Sequence, residues 1–268
     1  MIICCTTNDK YVKFTLGLIN SIRKNCTTQY KITCRCVNVC NDNLNLLGND
    51  TNIEIVIDNR PLSTAKNITT PEGTTYTSLL SGNRLAGYLK SEEACYCSNI
   101  RFYQTLQALE SGEDVLYMDV DAIVRGDLIN LPSVCPDDDI VIRKNINEGM
   151  YGSQKRMPIS EPGNVVYQQG FYFVRSCDLT VSFYKHLADK IQTDMNNWNA
   201  DQIMFLDAVN SFPVKIGQLP TTYRDSYHNP VDGGFKDESI VWCGGWVDKY
   251  TNEKYLAEFE KYAPQYKS

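Results

Sequence analysis

Short apolar runs alternate with longer amphipathic stretches along the first quarter of the chain. Residues 1–5, 30–39 and 53–57 are rich in apolar and β-branched side chains, which predicts three strands. Between the first two runs, apolar residues from Tyr11 to Ile22 recur at helical spacing, which predicts an amphipathic helix that ends near residue 25. This order of strand, helix and strand is typical of an α/β fold with a mostly parallel sheet covered by helices.

The same patterning predicts elements farther along the chain. We expect a helix at 98–109 that Ser98 caps, and a helix from 199 onward whose core-facing residues are Ile203, Leu206 and Val209. The other predicted elements are strands at 168–174 and 239–242 and helices at 179–191 and 252–262. Residues 61–83 and 145–164 lack this periodicity and are expected to be loops, which in compact domains often serve function when they are long.

The apolar run at 115–124 predicts a buried strand, yet two carboxylates, Asp119 and Asp121, interrupt it. Burying two ionised carboxylates close together is costly unless a cation meets them. In an extended chain residues i and i+2 point to the same side, so both carboxylates would face one ion while Val120 packs into the core. Oxygen ligands favour Mg²⁺ or Mn²⁺ over zinc. The alternative is a strand end at which one aspartate caps a turn and the other is solvated.

Composition narrows the class of protein. The 268 residues are enough for one or two domains with a large core. A net charge of −6 and a pI near 5.1 argue against a general nucleic-acid or membrane-surface binder. No apolar run approaches the roughly 20 residues of a membrane span, and no signal peptide is visible. The eleven cysteines, an odd number, are expected to be reduced, which favours a cytoplasmic location.

Several polar residues lie where the predicted elements begin or end. Ligands of parallel sheets bind at the carboxyl ends of strands, where the first strand places Thr6, Thr7 and Asn8; the alternative for Asn8 is a helix cap. Arg101 lies in the first turn of its predicted helix, where a cation does not help the helix dipole. It therefore either pairs with a charge or phosphate or is a plain surface residue. Asp201 also lies in a first turn, where the dipole favours an acid in any helix.

The order and spacing of these motifs resemble the nucleotide-diphospho-sugar transferases of the GT-A fold, especially the glycogenin and bacterial galactosyltransferase type (family 8-like). The resemblance rests on five segments, which are residues 4–11, 99–102, 116–121, 169–171 and 200–202. It implies a single Rossmann-like GT-A domain over 1–268, with a nucleotide-binding half at 1–125 and a half that binds sugar and acceptor at 126–268. It also implies a mostly parallel central sheet flanked by helices, and a small antiparallel sheet on the acceptor side.

The resemblance further implies roles for individual residues. Asp119 and Asp121 would hold Mn²⁺ or Mg²⁺ on the donor diphosphate. Residues lining the base, ribose or phosphates would be Thr6, Thr7, Asn8, Tyr11, Arg101, Asp119 and Val120. The catalytic candidates, which would touch the sugar and flank its anomeric carbon, are Gln169, Asp201 and Gln202. The expected reaction transfers a sugar, with UDP-sugar as the expected donor, to a hydroxyl of a glycan or protein acceptor with retention of configuration.

One departure from the resembling family concerns its His-x-x-Gly-x-x-Lys motif, whose histidine is a metal ligand and whose lysine meets phosphate. By spacing, Cys243 falls at the histidine, Trp246 at the glycine and Lys249 at the lysine. Cysteine is a soft ligand that suits neither Mg²⁺ nor Mn²⁺. Either the metal has only aspartate ligands plus diphosphate and water, or His228 supplies the missing ligand. The other histidine, His186, is expected to be structural.

Two other functions remain open at this point. Haloacid-dehalogenase-type phosphotransferases also carry D-x-D after an apolar strand, but there the motif follows the first strand of the core, whereas 118 residues precede Asp119 here. A sugar-nucleotide-binding module that has lost its chemistry would also keep the pocket, and the missing histidine is consistent with it.

Overall fold

The structure is a computed structural model that describes residues 1–48, 52–62, 66–69, 75–78, 91–146, 165–195, 200–226, 234–245 and 248–263. Its strands, in chain order, are β1 (Ile2–Asn8), β2 (Lys31–Val37), β3 (Ile53–Asp58), β4 (Lys66–Thr69), β5 (Thr75–Ser78), β6 (Val115–Met118), β7 (Ala122–Val124), β8 (Ile140–Ile146), β9 (Val165–Val174), β10 (Ile216–Gln218) and β11 (Val241–Cys243). Its α-helices are α1 (Val12–Asn25), α2 (Asn41–Leu47), α3 (Glu92–Asn99), α4 (Arg101–Leu109), α5 (Asp178–Ile191), α6 (Ala200–Ser211), α7 (Asp248–Thr251) and α8 (Glu253–Glu260).

Seven of the strands form one sheet in the order β10-β8-β9-β6-β1-β2-β3. Every neighbouring pair is parallel except the two that β9 makes, with β6 and with β8. Strands β7 and β11 form a separate antiparallel sheet, as do β4 and β5. The expected α/β architecture, with a mostly parallel sheet, flanking helices and a small antiparallel sheet, is confirmed.

Helices cover both faces of the large sheet because its strands bury side chains on both sides. Along β9, Phe171 and Phe173 join the core beneath α1 and α8, whereas Tyr172 and Val174 join the core beneath α4, α5 and α6. This alternation is the period-two pattern of a strand buried on two faces. The side chains of all four residues are fully buried. The central strands are thereby fixed, and with them the positions of the residues at their ends.

The aspartate segment differs from the single strand predicted at 115–124. Strand β6 ends at Met118, and the chain turns so that the backbone amide of Ala122 donates to the carbonyl of Asp119 at 3.0 Å. Strand β7 then leaves the large sheet and pairs with β11. The prediction was wrong on this point because apolar residues continue through the turn, and hydrophobic patterning does not register a change of sheet. The D-x-D motif therefore lies at a corner between two sheets.

Two predicted helices also need correction. Residues 92–109 form two helices separated at Ile100, and the cap is Ser91, whose hydroxyl accepts from the amide of Ala94; Ser98 lies in the last turn of α3. In α6 the buried residues are Ala200, Asp201, Phe205 and Ala208, whereas Ile203, Leu206 and Val209 are only half-buried. The face that α6 turns toward the core therefore carries a carboxylate, Asp201.

Two observations concern the class of protein. None of the helices described here combines the length and the apolar character needed to cross a membrane. All eleven cysteines are free thiols. The division of the chain into a nucleotide-binding half and an acceptor half stays a prediction.

The contact between α1 and α8 yields a test of the packing. A methyl group at Gly17 would overlap the ring of Phe259, which is buried and whose centroid lies 5.1 Å from that of Phe14. Alanine favours a helix over glycine by about 1 kcal/mol, but overpacking a core costs about 1–3 kcal/mol. We expect Gly17→Ala to lower the free energy of unfolding measured in urea. Gly245→Ala, where no atom lies within 4 Å of the added methyl group, should leave it unchanged.

Candidate functional site

The carboxyl ends of β1 and β6 lie side by side because the two strands are parallel neighbours, with Ile2 beside Val115 and Cys4 beside Tyr117. This arrangement brings the residues that end β1 and the aspartate turn that follows β6 to the same edge of the sheet. Ligands of open α/β sheets bind at this edge. The sequence-based choice of these two segments is therefore consistent with one site.

Asp121 is held on the buried side of the turn. Its side chain is 12% exposed and accepts a hydrogen bond of 2.6 Å from Nζ of Lys249. Its backbone carbonyl accepts from the amide of Gly244 at 2.9 Å and from the hydroxyl of Tyr255 at 2.7 Å. Burial alone would lower the pKa of Lys249, but the Asp121 carboxylate outweighs it and raises that pKa above its ordinary value. Lys249 is therefore a charged partner of the D-x-D motif.

Asp119 points toward solvent, with 43% of its side chain exposed, and faces a second cation. The guanidinium of Arg101 lies 3.5 Å from the Asp119 carboxylate and 3.5 Å from the carboxylate of Asp201. Arg101 is 5% exposed, and it also donates to the backbone carbonyls of Ser98 and Gln169. Burial acts to lower its pKa, but the two carboxylates more than offset this, so the pKa of Arg101 is raised. Arg101 is thus a charge-pairing residue and not a surface arginine.

Asp201 is brought to the site by the buried face of α6. It is 3% exposed, its carboxylate accepts from the amide of Gln202 at 2.9 Å, and its own amide donates to the side chain of Asn99 at 3.2 Å. Burial raises the pKa of Asp201 above its ordinary value, and Arg101 opposes this only in part. Gln202 is half-buried. Because Arg101 lies between Asp119 and Asp201, the structure joins a proposed metal ligand to a proposed catalytic residue.

An irregularity in β9 shapes the wall opposite the turn. The register between β8 and β9 shifts between Ile142 and Lys144, and bulges of this kind often redirect side chains beside active sites. Gly170 lies in the irregular segment, and its carbonyl accepts from the amide of Asp119 at 2.8 Å. A methyl group at Gly170 would overlap the Asp119 carboxylate. Only glycine lets the two segments approach this closely.

Two amides beside Gly170 are unusual because buried polar atoms nearly always have hydrogen-bond partners. Gln169 is 2% exposed, yet neither its Nε2 nor its Oε1 atom has a partner, and Oε1 of Gln168 is also buried without one. Gln169 was expected from the sequence as a site residue. Such orphaned groups indicate a place where a polar ligand completes the hydrogen bonding.

The three predicted site residues at the end of β1 differ in whether their side chains have hydrogen-bonding groups free for a ligand. The Thr6 hydroxyl donates to Gln104 at 3.0 Å and accepts from the hydroxyl of Tyr117 at 3.2 Å, so it serves the interior. The hydroxyl of Thr7 also has protein partners. The Asn8 amide donates to Glu93 at 2.8 Å, but its Oδ1 is buried without a partner. Of these three side chains, Asn8 retains an acceptor for a ligand.

Tyr11 connects this end of β1 to the D-x-D motif. Its ring centroid lies 4.8 Å from Nζ of Lys249, the same ammonium that binds Asp121. Val120, between the two aspartates, is 8% exposed and belongs to the core beneath α1. Val120 therefore contributes backbone, more than side chain, to the edge of the site.

The position that replaces the family histidine is a poor metal ligand in the structure as well. Cys243 is buried in β11, where burial raises the pKa of its thiol to about 12, and its sulfur is a soft ligand that suits neither Mg²⁺ nor Mn²⁺. His228 and Trp246 lie outside the described residues. His186 packs on Phe212, with ring centroids 5.0 Å apart, and its Nε2 is buried without a hydrogen-bond partner among the described residues, so its structural role stays a prediction.

Arg224, which sequence reasoning missed, lies next to this region. Its Nη2 is 3.5 Å from the point that a Cβ at Gly170 would occupy, and its Nε is buried without a hydrogen-bond partner. It follows a polar Thr-Thr-Tyr stretch with no recognisable motif, so nothing in the sequence pattern identifies it.

The residues present fit a divalent cation only in part. The turn offers two carboxylates, which are hard oxygen donors suited to Mg²⁺ or Mn²⁺. Within the described ranges, however, no group of three or more His, Cys, Asp or Glu side chains could hold a metal ion. The remaining ligands would have to come from a bound diphosphate, from water or from outside the described residues.

Comparison with known proteins agrees with this arrangement. The sequence model of the family described as Nucleotide-diphospho-sugar transferase matches residues 82–250. Comparison with curated proteins returns no match.

Solved structures are similar in fold at low sequence identity. The WbbM bifunctional glycosyltransferase aligns at a TM-score of 0.63 and 13% identity over 99% of this chain, which spans 50% of that protein. The galactosyltransferase LgtC, solved with donor and acceptor sugar analogues, aligns at 0.55 and 15% over 98% of this chain and 96% of its own. The glycosyltransferase GlyE of Streptococcus pneumoniae aligns at 0.54 and 11% over 96% of this chain and 60% of its own.

The raised pKa of Asp201 predicts how stability depends on pH. A carboxyl whose pKa is higher in the folded than in the unfolded chain contributes stability at low pH, and that contribution is lost as pH rises through the folded pKa. We therefore expect the free energy of unfolding of Asp201→Asn to increase relative to wild type as pH rises above the ordinary value of 3.8. Urea unfolding of both proteins between about pH 4 and pH 8 measures this difference.

The control is Asp237→Asn. The pKa of Asp237 is lowered by its hydrogen bond with Lys254, so its contribution is lost only as pH falls from about 5 toward the folded pKa. Its difference from wild type should therefore stay flat between about pH 5 and pH 8. A flat difference for Asp201→Asn as well would contradict the prediction.

Proposed function

Because the chain belongs to the nucleotide-diphospho-sugar transferase family, we propose that it transfers a sugar from a nucleotide-diphosphate sugar to a hydroxyl of a glycan or protein acceptor. The expected donor is a UDP-sugar. The alternative of a haloacid-dehalogenase-type phosphotransferase loses its basis, since β1, β2 and β3 precede the D-x-D strand within the same sheet.

The observation that carries the proposal is the set of charged and unsatisfied groups around Asp119. Cations from α4 and α7 approach the two aspartates, while Gln168, Gln169 and Arg224 hold buried polar atoms that lack hydrogen-bond partners. A ligand that brings phosphate oxygens and sugar hydroxyls would satisfy both kinds of group at once. Neither a purely apolar ligand nor a neutral protein surface would.

Asp119 and Asp121 are the residues proposed to hold Mn²⁺ or Mg²⁺, with His228 as a candidate third ligand. When bound, such a cation offsets the negative charge that develops on the departing diphosphate. Lys249, which binds Asp121 in the free protein, is proposed to exchange that carboxylate for a phosphate oxygen. Asn8 and Tyr11, at the end of β1, are proposed to contact the base and ribose, and Thr6 and Thr7 to position that segment.

The chain's own residues would act on the sugar as follows. Breaking the bond between the anomeric carbon and the phosphate oxygen builds positive charge on the sugar, and the carboxylate of Asp201 is proposed to stabilise that charge. Arg101 keeps Asp201 and Asp119 in fixed positions. Gln169 and Gln202 are proposed to bind sugar hydroxyls. In a retaining reaction the acceptor oxygen bonds to the anomeric carbon, and its proton passes to the departing diphosphate.

Asp121→Asn tests the proposal directly. Purified protein with Mn²⁺ should hydrolyse at least one member of a panel of nucleotide sugars. We expect the variant to lose on the order of 10²-fold in rate, because it removes a charge that acts on the leaving group. Asp189→Asn, an exposed aspartate on α5, is the matched control and should be unchanged. Binding of a nucleotide sugar without any turnover would instead support a binding module.

The stereochemical course is a separate prediction. With an α-linked donor, proton NMR of the first product formed should show the α anomer if configuration is retained. An initial β anomer would overturn retention without affecting the proposal of glycosyl transfer.

A further inference from the structure

We propose that Arg224 binds the distal phosphate of the donor, the phosphate joined to the sugar, and stabilises it as the leaving group. The inference rests on the proposed function, and it assigns a residue that neither a sequence motif nor the resembling family indicates.

The guanidinium of Arg224 approaches the D-x-D motif at the place where Gly170 has no side chain. The point where a Cβ at Gly170 would stand is close to the Asp119 carboxylate and 3.5 Å from Nη2 of Arg224. The two charged groups nevertheless form no ion pair among those found in the described part of the chain. Both groups therefore approach the same point without pairing, so a ligand atom that contacts Arg224 there lies close to the Asp119 carboxylate.

The backbone of Arg224 is fixed while its side chain has unused donors. Its amide donates to the carbonyl of Thr221 at 3.0 Å, and its carbonyl accepts from the guanidinium of Arg143 at 3.0 Å. The following residue, Asp225, pairs with Trp242 of β11 in a parallel bridge. By contrast, Nε of Arg224 is buried and has no partner. The Nε atoms of Arg35 and Arg125 also lack partners, but the other guanidinium nitrogens of these two arginines bind protein groups. Among the described residues, no hydrogen bond from the side chain of Arg224 is found.

Charge gives a second reason for a phosphate at this position. Three carboxylates lie around the site, those of Asp119, Asp121 and Asp201, and the cations of Arg101 and Lys249 pair with them. A diphosphate entering such a field is repelled unless further positive charge is present. Arg224 supplies one such charge, and it lies close enough to Cys243 to act on that residue's pKa together with Asp119 and Asp121.

Of the two phosphates of the donor, the distal one matches the position of Arg224 better. Gly170 adjoins Gln169, whose orphaned amide is proposed to meet the sugar, so a group beside Gly170 is nearer the sugar end of the diphosphate. A planar guanidinium also suits two phosphate oxygens at once. Because negative charge on these oxygens increases as the sugar leaves, the contact would strengthen during the reaction.

The experiment compares nucleoside diphosphates with the matching monophosphates. Calorimetry with Mn²⁺ and a panel of nucleoside diphosphates first identifies which base the wild type binds; if none binds, the proposed function itself is overturned. With the selected base, Arg224→Met should weaken diphosphate binding by about 10- to 100-fold, the worth of a charge-assisted hydrogen bond, and leave monophosphate binding unchanged. Arg224→Lys keeps the positive charge but loses the planar guanidinium, so its affinity for the diphosphate should lie between those of wild type and Arg224→Met.

Lys254→Met is the matched control, since it removes one positive charge from an exposed position on α8. It should bind both nucleotides as wild type does. Diphosphate binding by Arg224→Met equal to wild type would overturn the inference alone, as would an equal loss for monophosphate and diphosphate. If Arg224→Met shows no cooperative thermal unfolding, Arg224→Lys takes its place. Diphosphate binding by Arg224→Lys equal to wild type would then overturn the inference.

Discussion

The site depends on one buried guanidinium. Arg101 lies at the start of α4, and its charge is shared by a carboxylate that follows β6 and one that begins α6. Removing Arg101 would leave Asp201 buried without its cation, and an uncompensated buried charge costs several kcal/mol, on the order of 3–5. The interaction therefore ties three elements from distant parts of the chain to one point.

A second set of contacts holds the turn itself. The carbonyl of Asp121 accepts two hydrogen bonds, from Gly244 and from Tyr255, so the turn is fastened to the C-terminal segment. A Cβ at Gly244 would lie 2.7 Å from the Tyr255 hydroxyl, which explains why this position needs glycine. The two aspartates thus point to different surroundings, one toward solvent and Arg101, the other toward Lys249. Their side chains are held by two different cations, Arg101 before the motif in the sequence and Lys249 after it.

Much of this fold was predictable because the spacing of hydrophobic residues can be read from neighbouring positions in the sequence. The predicted elements overlap those of the structure at helices α1, α5 and α8 and at strands β1, β2, β3 and β11. Patterning missed strand β8, and it predicted a loop over 61–83, where the structure has the β4–β5 hairpin. Other elements that it missed are short or polar. Strand β10 has three residues, α2 is mostly asparagine and aspartate, and the break at Ile100 leaves the helical spacing intact. Likewise, the D-x-D motif, Arg101 and Asp201 were identifiable from their charge at element ends, whereas Arg224 became visible only through its neighbours in space.

The contact between Lys249 and Asp121 has a consequence for the order in which ligands assemble. A bare ion approaching the free protein would have to displace an ammonium that sits 2.6 Å from the carboxylate it seeks. An ion that arrives already bound to phosphates brings a phosphate oxygen, with which the ammonium can pair in place of the carboxylate. The ammonium then keeps a negatively charged partner. If the two aspartates bind a cation as proposed, Lys249 competes with that cation for Asp121, and a preformed complex of cation and nucleotide would replace Lys249 most readily.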